Sequence, residues 1–370
     1  MKKRINPDRM IQTIQEYFKD SLSKPNLKNL SLTTIAMAKS DRLKINDIAR
    51  NLPVDVGNQK AKQTRLLRFL NNDLPLDDMM FSWSNLVFQR VYGNSDDTMD
   101  DAIIVLVDGV ELMYGYKAFV AAIPFRKRAI PIAFKIYTNQ QIKDMIYSSE
   151  NIIIWNFMDI VIDTVKMIIP NRKVIFIFDR GFADEKLMNY MNHFDSNYII
   201  RVPKNCGIVG LEYKGKLSSF YHFGYFRDMY YHIKRQVKVN LYSAKNPSDD
   251  SDPYFVVSNV DDSLGLLYKK RMQIEECFRD LKSLFGFKEL VLKDTEQSRF
   301  EIMFLLVIIS MGMILILYEK SGYRWSKYYN TSSRKEYSLI RVIKEKLRDS
   351  WVNLRLDPLF TFDNACFYEV

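Results

Sequence analysis

Cysteine, glycine, proline and histidine are all scarce in this chain of 370 residues, which has 3 Cys, 13 Gly, 11 Pro and 3 His. Three distant cysteines with no C-x-x-C pair argue against a disulfide framework or a structural zinc site, and they favour a reducing compartment. Low glycine and proline with 47% hydrophobic residues excludes disordered, collagen-like and low-complexity chains. We therefore expect a globular protein of two or three domains.

Several catalytic signatures are missing as well. No G-x-x-x-x-G-K-[ST] run occurs, so no nucleotide cofactor is predicted, and no nucleophilic Ser or Cys with a paired base is recognisable. The N-terminus is basic but no apolar segment follows it, so we expect no secretory signal. The histidines show no ligand spacing with one another or with a cysteine, and we interpret them as structural residues: His193, His222 and His232.

One apolar run is long enough to raise the question of a membrane. The 17 residues from Ile302 to Tyr318 carry no charge, and a length of 17 residues is the lower limit for a helix that crosses a bilayer. Mixed charges flank the run on both sides, without the one-sided basic flank of a membrane span. A buried core helix fits the same all-round hydrophobicity, so we predict a core helix and no membrane partner.

The charge is unevenly distributed along the chain. The net charge is +10, and residues 1–70 hold 15 Lys and Arg against 6 Asp and Glu, so that the other 300 residues sum to +1. The pattern of residues 1–95 is helical, and a short helix at 46–50, a turn at 55–58 and a basic helix at 60–72 resemble a helix-turn-helix. A solvated helix face is the alternative. The candidate DNA-binding cations of the basic helix are Lys60, Lys62, Arg65 and Arg68.

The pattern changes after an acidic stretch at 73–101, which we interpret as a linker. Short apolar runs at 102–107, 117–125, 129–137, 173–178 and 197–202 are typical of strands, and helical patterns fall at 151–169 and 184–192. Three strands followed by alternating helix and strand predict an α/β fold, a mixed sheet with flanking helices. Residues 203–262 alternate in a β-like manner and predict a β-rich insertion.

Two of the buried strands end in a carboxylate, and active sites collect at strand ends in open α/β sheets. Asp108 follows the first strand, and Asp179 follows the strand 173–178. Each residue also has a structural interpretation. Asp108 with Gly109 could form a hairpin turn, and Asp179 could cap the next helix.

A helix predicted from 262 to 285 adds a third acid. Tyr268, Arg271, Glu275 and Lys282 are spaced so that they share one stripe of such a helix, at the border of its apolar face. Glu275 could instead make only an i,i+4 pair with Arg271 or Arg279.

The spacing Y-x2-R-x3-E-x6-K resembles the signature of DDE transposases of bacterial insertion sequences, the branch typified by insertion sequence 4. In that family two aspartates at strand ends of a ribonuclease-H-like domain precede the glutamate. Asp108 and Asp179 match those positions in order, and the β-rich insertion between Asp179 and Glu275 is also similar. The resemblance covers about residues 100–320.

The resemblance implies that Asp108, Asp179 and Glu275 are catalytic and bind two Mg²⁺ ions, with Mn²⁺ as a possible substitute. Two ions about 4 Å apart can activate the attacking oxygen and stabilise the leaving one in phosphodiester cleavage and strand transfer. Hard carboxylate oxygens suit Mg²⁺. The resemblance implies contacts to the DNA from Tyr268, Arg271 and Lys282. Arg180, which follows the second aspartate, is a weaker candidate for the same contact.

The resemblance also implies the partners, and the sequence pattern together with the resemblance predicts the domain order. The partners are double-stranded DNA, as terminal inverted repeats and target, and a second copy of the chain on that DNA, in the bacterial cytoplasm. We expect a DNA-binding domain at 1–95, a ribonuclease-H-like core at 100–202 and 263–322, the insertion at 203–262 and a helical region at 323–370. The rival hypotheses are a nuclease or resolvase of the same fold without strand transfer and a non-catalytic DNA-binding derivative.

Overall fold

The computed structural model describes residues 6–54, 58–93, 102–144, 149–210, 212–246, 249–261, 264–287, 296–329 and 338–350. The chain forms two compact units, residues 95–277 and the combination of 1–94 with 278–370. The described α-helices are α1 Asp8–Phe18, α2 Lys24–Lys39, α3 Ile45–Arg50, α4 Gln59–Leu70, α5 Leu76–Tyr92, α6 Asn139–Lys143, α7 Glu150–Ile168, α8 Glu185–His193, α9 Leu264–Lys269, α10 Met272–Ser283, α11 Gln297–Tyr329 and α12 Leu339–Arg348.

The unit formed by 95–277 is built on one mixed sheet. The described strands are β1 Ile103–Glu111, β2 Tyr116–Phe125, β3 Arg128–Thr138, β4 Val174–Phe178, β5 Asn197–Val202, β6 Gly207–Gly210, β7 Tyr213–Lys216, β8 Gly224–Tyr231, β9 Val237–Asn246 and β10 Asp249–Ser258. Their order in the sheet is β3-β2-β1-β4-β5-β10-β9-β8-β6-β7. The strands β1, β4 and β5 are parallel, and the remaining pairs are antiparallel. This is the α/β class predicted from the sequence, with a mostly antiparallel sheet.

The strands predicted as an insertion continue the same sheet. β10 pairs with β5 through Val256 opposite Arg201 and Val257 opposite Ile200, and β9, β8, β6 and β7 follow outward. Inward-facing side chains of these strands are buried, among them Ile208, Met229 and Leu241. The alternation of buried and exposed residues along β8 is the period-2 pattern of a sheet with one solvated face. That the segment is an insertion into a smaller core stays a prediction.

The other unit is helical. α11 contains the apolar run and packs on α2, α5 and α12. Ser310 of α11 donates a hydrogen bond of 3.1 Å to the carbonyl oxygen of Thr34 in α2, and both residues are buried. Among the described residues, α11 is the one helix long and apolar enough to cross a membrane, and 83% of its apolar window is buried inside the protein. One such helix is weak evidence and does not indicate a membrane protein.

Two differences from the sequence analysis concern this unit. The acidic stretch at 73–101 is not a linker throughout, because α5 occupies 76–92; Asp77 and Asp78 lie in its first turn, where the helix dipole favours acids, and Trp83 and Leu86 are fully buried. Residues 94–101 and the predicted turn residues 55–57 lie outside the described residues. The structure also groups α11 with the N-terminal helices, whereas the sequence analysis assigned the run to the catalytic core.

Candidate active site

The register of the parallel strands brings two of the predicted acids to one edge of the sheet. β1 and β4 pair in parallel up to Val107 opposite Phe178. Asp108 directly follows Val107, and Asp179 directly follows Phe178. The two acids therefore occupy corresponding positions, at the point where β1 and β4 cease to pair. Buried apolar residues precede both acids, and the carboxylates emerge where that burial ends. This is the carboxyl end of the parallel strands, where ligands bind in open α/β sheets.

The structural interpretations of these two aspartates do not hold. Asp108 lies within β1, opposite Val120 of β2, and not in a hairpin turn. Asp179 precedes a short 3-10 helix at Arg180–Phe182 and makes no side-chain capping hydrogen bond to it. The capping residue in this segment is Asp184, whose carboxylate accepts the amide of Lys186 at the start of α8.

The helix predicted from 262 to 285 is divided in two. α9 ends at Lys269 and α10 begins at Met272. The amide of Arg271 donates to the carbonyl oxygen of Tyr268 and the amide of Ile274 to that of Arg271, which are i to i−3 bonds tighter than those of an α-helix. Arg271 therefore lies in a turn between two helices. The expected common stripe on a single helix is wrong, although the turn keeps Tyr268, Arg271 and Glu275 together.

Arg271 binds all three predicted catalytic acids. Its Nη1 lies 3.0 Å from Oδ2 of Asp108 and its Nε lies 3.6 Å from Oδ1 of Asp179. Its Nη2 donates to Oε1 of Glu275. Each carboxylate therefore occupies a different nitrogen of one planar guanidinium, and we call the group formed by Asp108, Asp179 and Glu275 the acid triad. The i,i+4 pair of Glu275 with Arg271 exists, but it is one part of this larger cluster.

Tyr268 covers the guanidinium and binds one member of the triad. Its hydroxyl donates a hydrogen bond of 3.2 Å to Oδ1 of Asp179, and the Cζ atom of Arg271 lies 6.0 Å from the centroid of its ring. A cation at this distance from an aromatic face is attracted by the ring quadrupole. Tyr268 thus links the acid triad to the guanidinium from a second direction.

Arg271 and Asp108 are largely withdrawn from water, whereas the side chains of Asp179 and Glu275 are 34% and 38% exposed. Arg271 is 8% exposed, and the side chain of Asp108 is 15% exposed. Burial raises the pKa of Asp108 to about 6, against the opposing effect of Arg271. Burial lowers the pKa of Arg271, but Tyr268 and the three acids outweigh this and raise it. Burial also raises the pKa of Tyr268. Arg271 is therefore a permanent cation among acids of which Asp108 titrates near neutrality.

The arrangement has the donor chemistry of a divalent cation site but holds a guanidinium. Among the described residues, no three His, Cys, Asp or Glu side chains are placed so that they could share one metal ion. The acid triad supplies hard carboxylate oxygens, the ligand type that Mg²⁺ prefers. These oxygens are directed at a single positive charge, that of Arg271. The residues fit a metal ion by charge and donor type, provided that the guanidinium moves aside.

Two other cations predicted to bind DNA belong to the same segments. Arg180 is exposed on the 3-10 helix directly after Asp179. Lys282 lies seven residues after Glu275 on α10, is partly exposed, and falls in the other unit of the chain.

One cation near the acid triad was missed by the sequence analysis. Arg201 of β5 lies close enough to Tyr268 to lower the pKa of that phenol, although burial and Asp179 act in the opposite direction. A charged residue in the otherwise apolar run of β5 is the signal that could have identified it. Arg201 is thus a further candidate for binding an anion beside Asp179.

The four cations predicted on the basic helix fall into two pairs. Lys60 and Arg68 are exposed on α4. Lys62 donates to the carbonyl oxygen of Leu52 at 3.2 Å, and Nε of Arg65 donates to Oδ1 of Asn29 at 2.9 Å. Burial lowers the pKa of Arg65. The first pair is open to an anionic partner, whereas the second holds α4 against its own unit.

Two solved structures are remotely similar to the chain. Marinitoga piezophila Argonaute in complex with 5′ OH guide RNA is similar to this chain at a TM-score of 0.25 and 9% identity, over 63% of this chain and 35% of that chain. The same Argonaute with guide RNA and target DNA gives a TM-score of 0.22 and 10% identity, over 62% and 35%. The chain spans 35% of the length of these structures.

Comparison with known sequences is more informative. No curated protein matches the chain. The family model described as the transposase DDE domain matches residues 158–311. The matched segment contains Asp179, Tyr268, Arg271 and Glu275, and Asp108 lies before it. Together with the mixed sheet and its flanking helices, this match supports a DDE transposase family for the chain.

Proposed function

We propose that the chain is a metal-dependent DNA transposase of the insertion sequence 4 branch. The observation that carries the proposal is the convergence of Asp108, Asp179 and Glu275 on one guanidinium at the carboxyl end of two parallel strands. Three carboxylates from distant parts of a chain converge at a cost in repulsion and desolvation, which is typical of functional sites. The spacing of Tyr268, Arg271, Glu275 and Lys282 supports the assignment to the branch.

The proposed reaction is cleavage at the ends of a mobile element and joining of its 3′ ends to target DNA. DDE transposases generally use divalent metal ions, and in this chain the acid triad would hold them as Mg²⁺ or Mn²⁺. Such ions supply an activated attacking oxygen and neutralise charge on the leaving one. The part of the protein would be to fix three carboxylates in one place.

The remaining cations suit the DNA substrate. Arg180 follows Asp179 in the chain and Arg201 lies near Tyr268, so both are candidates for contacts to phosphates beside the scissile bond. Lys60 and Arg68 of α4 are open to a phosphate backbone, and they belong to the first 70 residues, which carry +9 of the +10 net charge. Joining two element ends requires two active sites, so we propose that the chain acts as a homodimer on DNA.

The direct test is strand transfer in vitro with Mg²⁺ and DNA fragments that carry the two ends of the element encoding the chain. We expect cleaved and joined products from the wild type and at least a hundredfold less product from Glu275→Gln. Glu276→Gln is the matched control, because Glu276 is the adjacent acid on α10 and faces Arg128 at 3.7 Å. Products from Glu275→Gln at the wild-type rate would refute the assignment. Cleavage without joining would support a nuclease of the same fold.

A further inference from the structure

The acid triad has a positively charged occupant of its own in this structure. Arg271 presents Nη1, Nε and Nη2 to Asp108, Asp179 and Glu275 respectively, so that each acid has its own nitrogen. The guanidinium has five N–H groups in a rigid fork, which suits simultaneous binding of several carboxylates. Without this cation, three carboxylates in a partly buried cluster would repel one another.

A divalent ion and the guanidinium compete for the same oxygens. Mg²⁺ binds its ligands at about 2.0 to 2.1 Å and demands near-octahedral geometry. Oδ1 of Asp108 already accepts the amide of Gly109 at 2.8 Å, which leaves Oδ2 for a metal ion, and Oδ2 is the atom bound to Arg271. A doubly charged ion within about 4 Å of a guanidinium would also be strongly repelled at low dielectric. Both cations cannot therefore occupy the centre of the triad together.

We propose that Arg271 is an exchangeable counter-ion of the acid triad, which holds the three carboxylates together without metal and is displaced when a divalent cation binds. The proposal rests on the proposed function, since it concerns the same three acids. It assigns to Arg271 a positioning role that precedes any contact with DNA phosphates. Rotation about the side-chain torsions of Arg271 can withdraw its guanidinium from the acids while its backbone hydrogen bonds to Tyr268 and Ile274 stay in place.

The chain offers a matched control for the charge of Arg271. Lys270 is the preceding residue and is exposed, so Lys270→Gln removes one positive charge near the triad without removing a ligand of the acids. Through-space effects of exposed charges are small and screened by salt. A difference between Arg271→Gln and Lys270→Gln therefore reports occupation of the triad and not the net charge of the region.

The experiment is Mn²⁺ binding to the full chain without DNA, followed by electron paramagnetic resonance of the free ion in 0.15 M salt. We expect Arg271→Gln to bind Mn²⁺ at least tenfold more tightly than the wild type, because the competing cation is gone. Arg271→Lys should lie between the two, since an ammonium cannot present three separate nitrogens. Lys270→Gln should change the affinity less than about threefold. In the absence of metal, Arg271→Gln should also melt at a lower temperature and recover on addition of Mn²⁺.

Failure of this inference can be distinguished from failure of the proposed function. Asp108→Asn and Glu275→Gln remove ligands and should weaken Mn²⁺ binding at least tenfold. If they do so while Arg271→Gln binds like the wild type or more weakly, the acids are metal ligands but Arg271 is not their competitor, and the inference is wrong. If neither acid variant changes the affinity, the triad is not a metal site and both proposals fall. If Arg271→Gln does not fold, Arg271→Lys with no gain in affinity over the wild type overturns the inference.

Discussion

Nη1 of Arg271 and Oδ2 of Asp108 lie 3.0 Å apart, although the two residues are separated by 163 positions in the sequence. Both side chains are largely buried, and the same guanidinium binds Asp179 and Glu275. The positive charge of Arg271 therefore offsets the mutual repulsion of the three acids. The stability of the protein without added metal, and the dependence of that stability on pH, therefore report on this cluster.

The first prediction concerns the pH dependence of stability. Since the pKa of Asp108 is raised to about 6 from 3.8, the folded protein binds more protons than the unfolded chain between pH 4 and pH 6. Stability contributed by the protonated acid is therefore present at pH 4 and is lost as the pH rises to about 6. We expect the unfolding free energy of the wild type, relative to that of Asp108→Asn, to fall by about 2 kcal/mol between pH 4 and pH 7. Urea unfolding of both proteins in a chelating buffer, at each pH, measures this difference in unfolding free energy.

Subtracting the unfolding free energy of Asp108→Asn from that of the wild type cancels the contributions of the other titrating groups, because the variant retains those groups. A difference between wild type and variant that stays constant from pH 4 to pH 7 would contradict a raised pKa for Asp108. A difference that grows in favour of the wild type would show that Arg271 outweighs burial.

The second prediction concerns Tyr268. Tyr268→Phe keeps the ring next to the guanidinium but removes the hydroxyl that donates to Oδ1 of Asp179 at 3.2 Å. Hydrogen bonds to charged groups contribute about 1.5 to 3 kcal/mol, and Asp179 retains Arg271 as a partner, so we expect a loss of about 1 kcal/mol in unfolding free energy. Tyr221→Phe, at a residue 80% exposed, is the control and should stay within about 0.5 kcal/mol of the wild type. Equal stability of Tyr268→Phe and the wild type would show that the hydroxyl bond contributes nothing.

The sequence predicted the strands well because their signal is local. β1, β2, β3, β4 and β5 lie within a few residues of the apolar runs, since buried strands of a mixed sheet read as continuous hydrophobic stretches. The linker prediction was wrong in part, because acidic composition concealed the helical spacing of Met79, Trp83 and Leu86 in α5. Local composition thus misled where periodicity was the better guide.

The site could be predicted only by residue type. Two acids after buried strands are visible in the sequence, but the register of Val107 with Phe178 that makes them neighbours is a tertiary property. The break between α9 and α10 is also invisible, because a spacing of three and four residues continues through Arg271. The burial of Arg271 among three acids depends on all these elements together.

The third prediction separates the two pairs of cations on α4. Lys60→Ala and Arg68→Ala should weaken binding to double-stranded DNA with little effect on stability, because both side chains are exposed. Each lost phosphate contact should reduce the slope of log K against log salt by about one. Arg65→Ala should instead lower the unfolding free energy by about 1 to 2 kcal/mol, because its bond to Asn29 is lost. Unchanged affinity of the Lys60→Ala, Arg68→Ala double variant would exclude this face from the DNA interface.

The fourth prediction concerns a buried lysine of the helical unit. Nζ of Lys344 donates to the carbonyl oxygen of Ser40 at 2.6 Å and lies 4.1 Å from the centroid of the Phe285 ring, and Lys344 is 2% exposed. Burial lowers its pKa to about 7 from 10.5, so the unfolded chain binds more protons than the folded protein between pH 7 and pH 10. Stability must therefore rise with pH across that window. We expect the unfolding free energy of the wild type, relative to Lys344→Met, to increase by about 3 kcal/mol from pH 7 to pH 10. Lys346→Met, at a partly exposed residue of α12, should show no such dependence, and a flat difference for Lys344→Met would mean that the buried amine keeps its ordinary pKa.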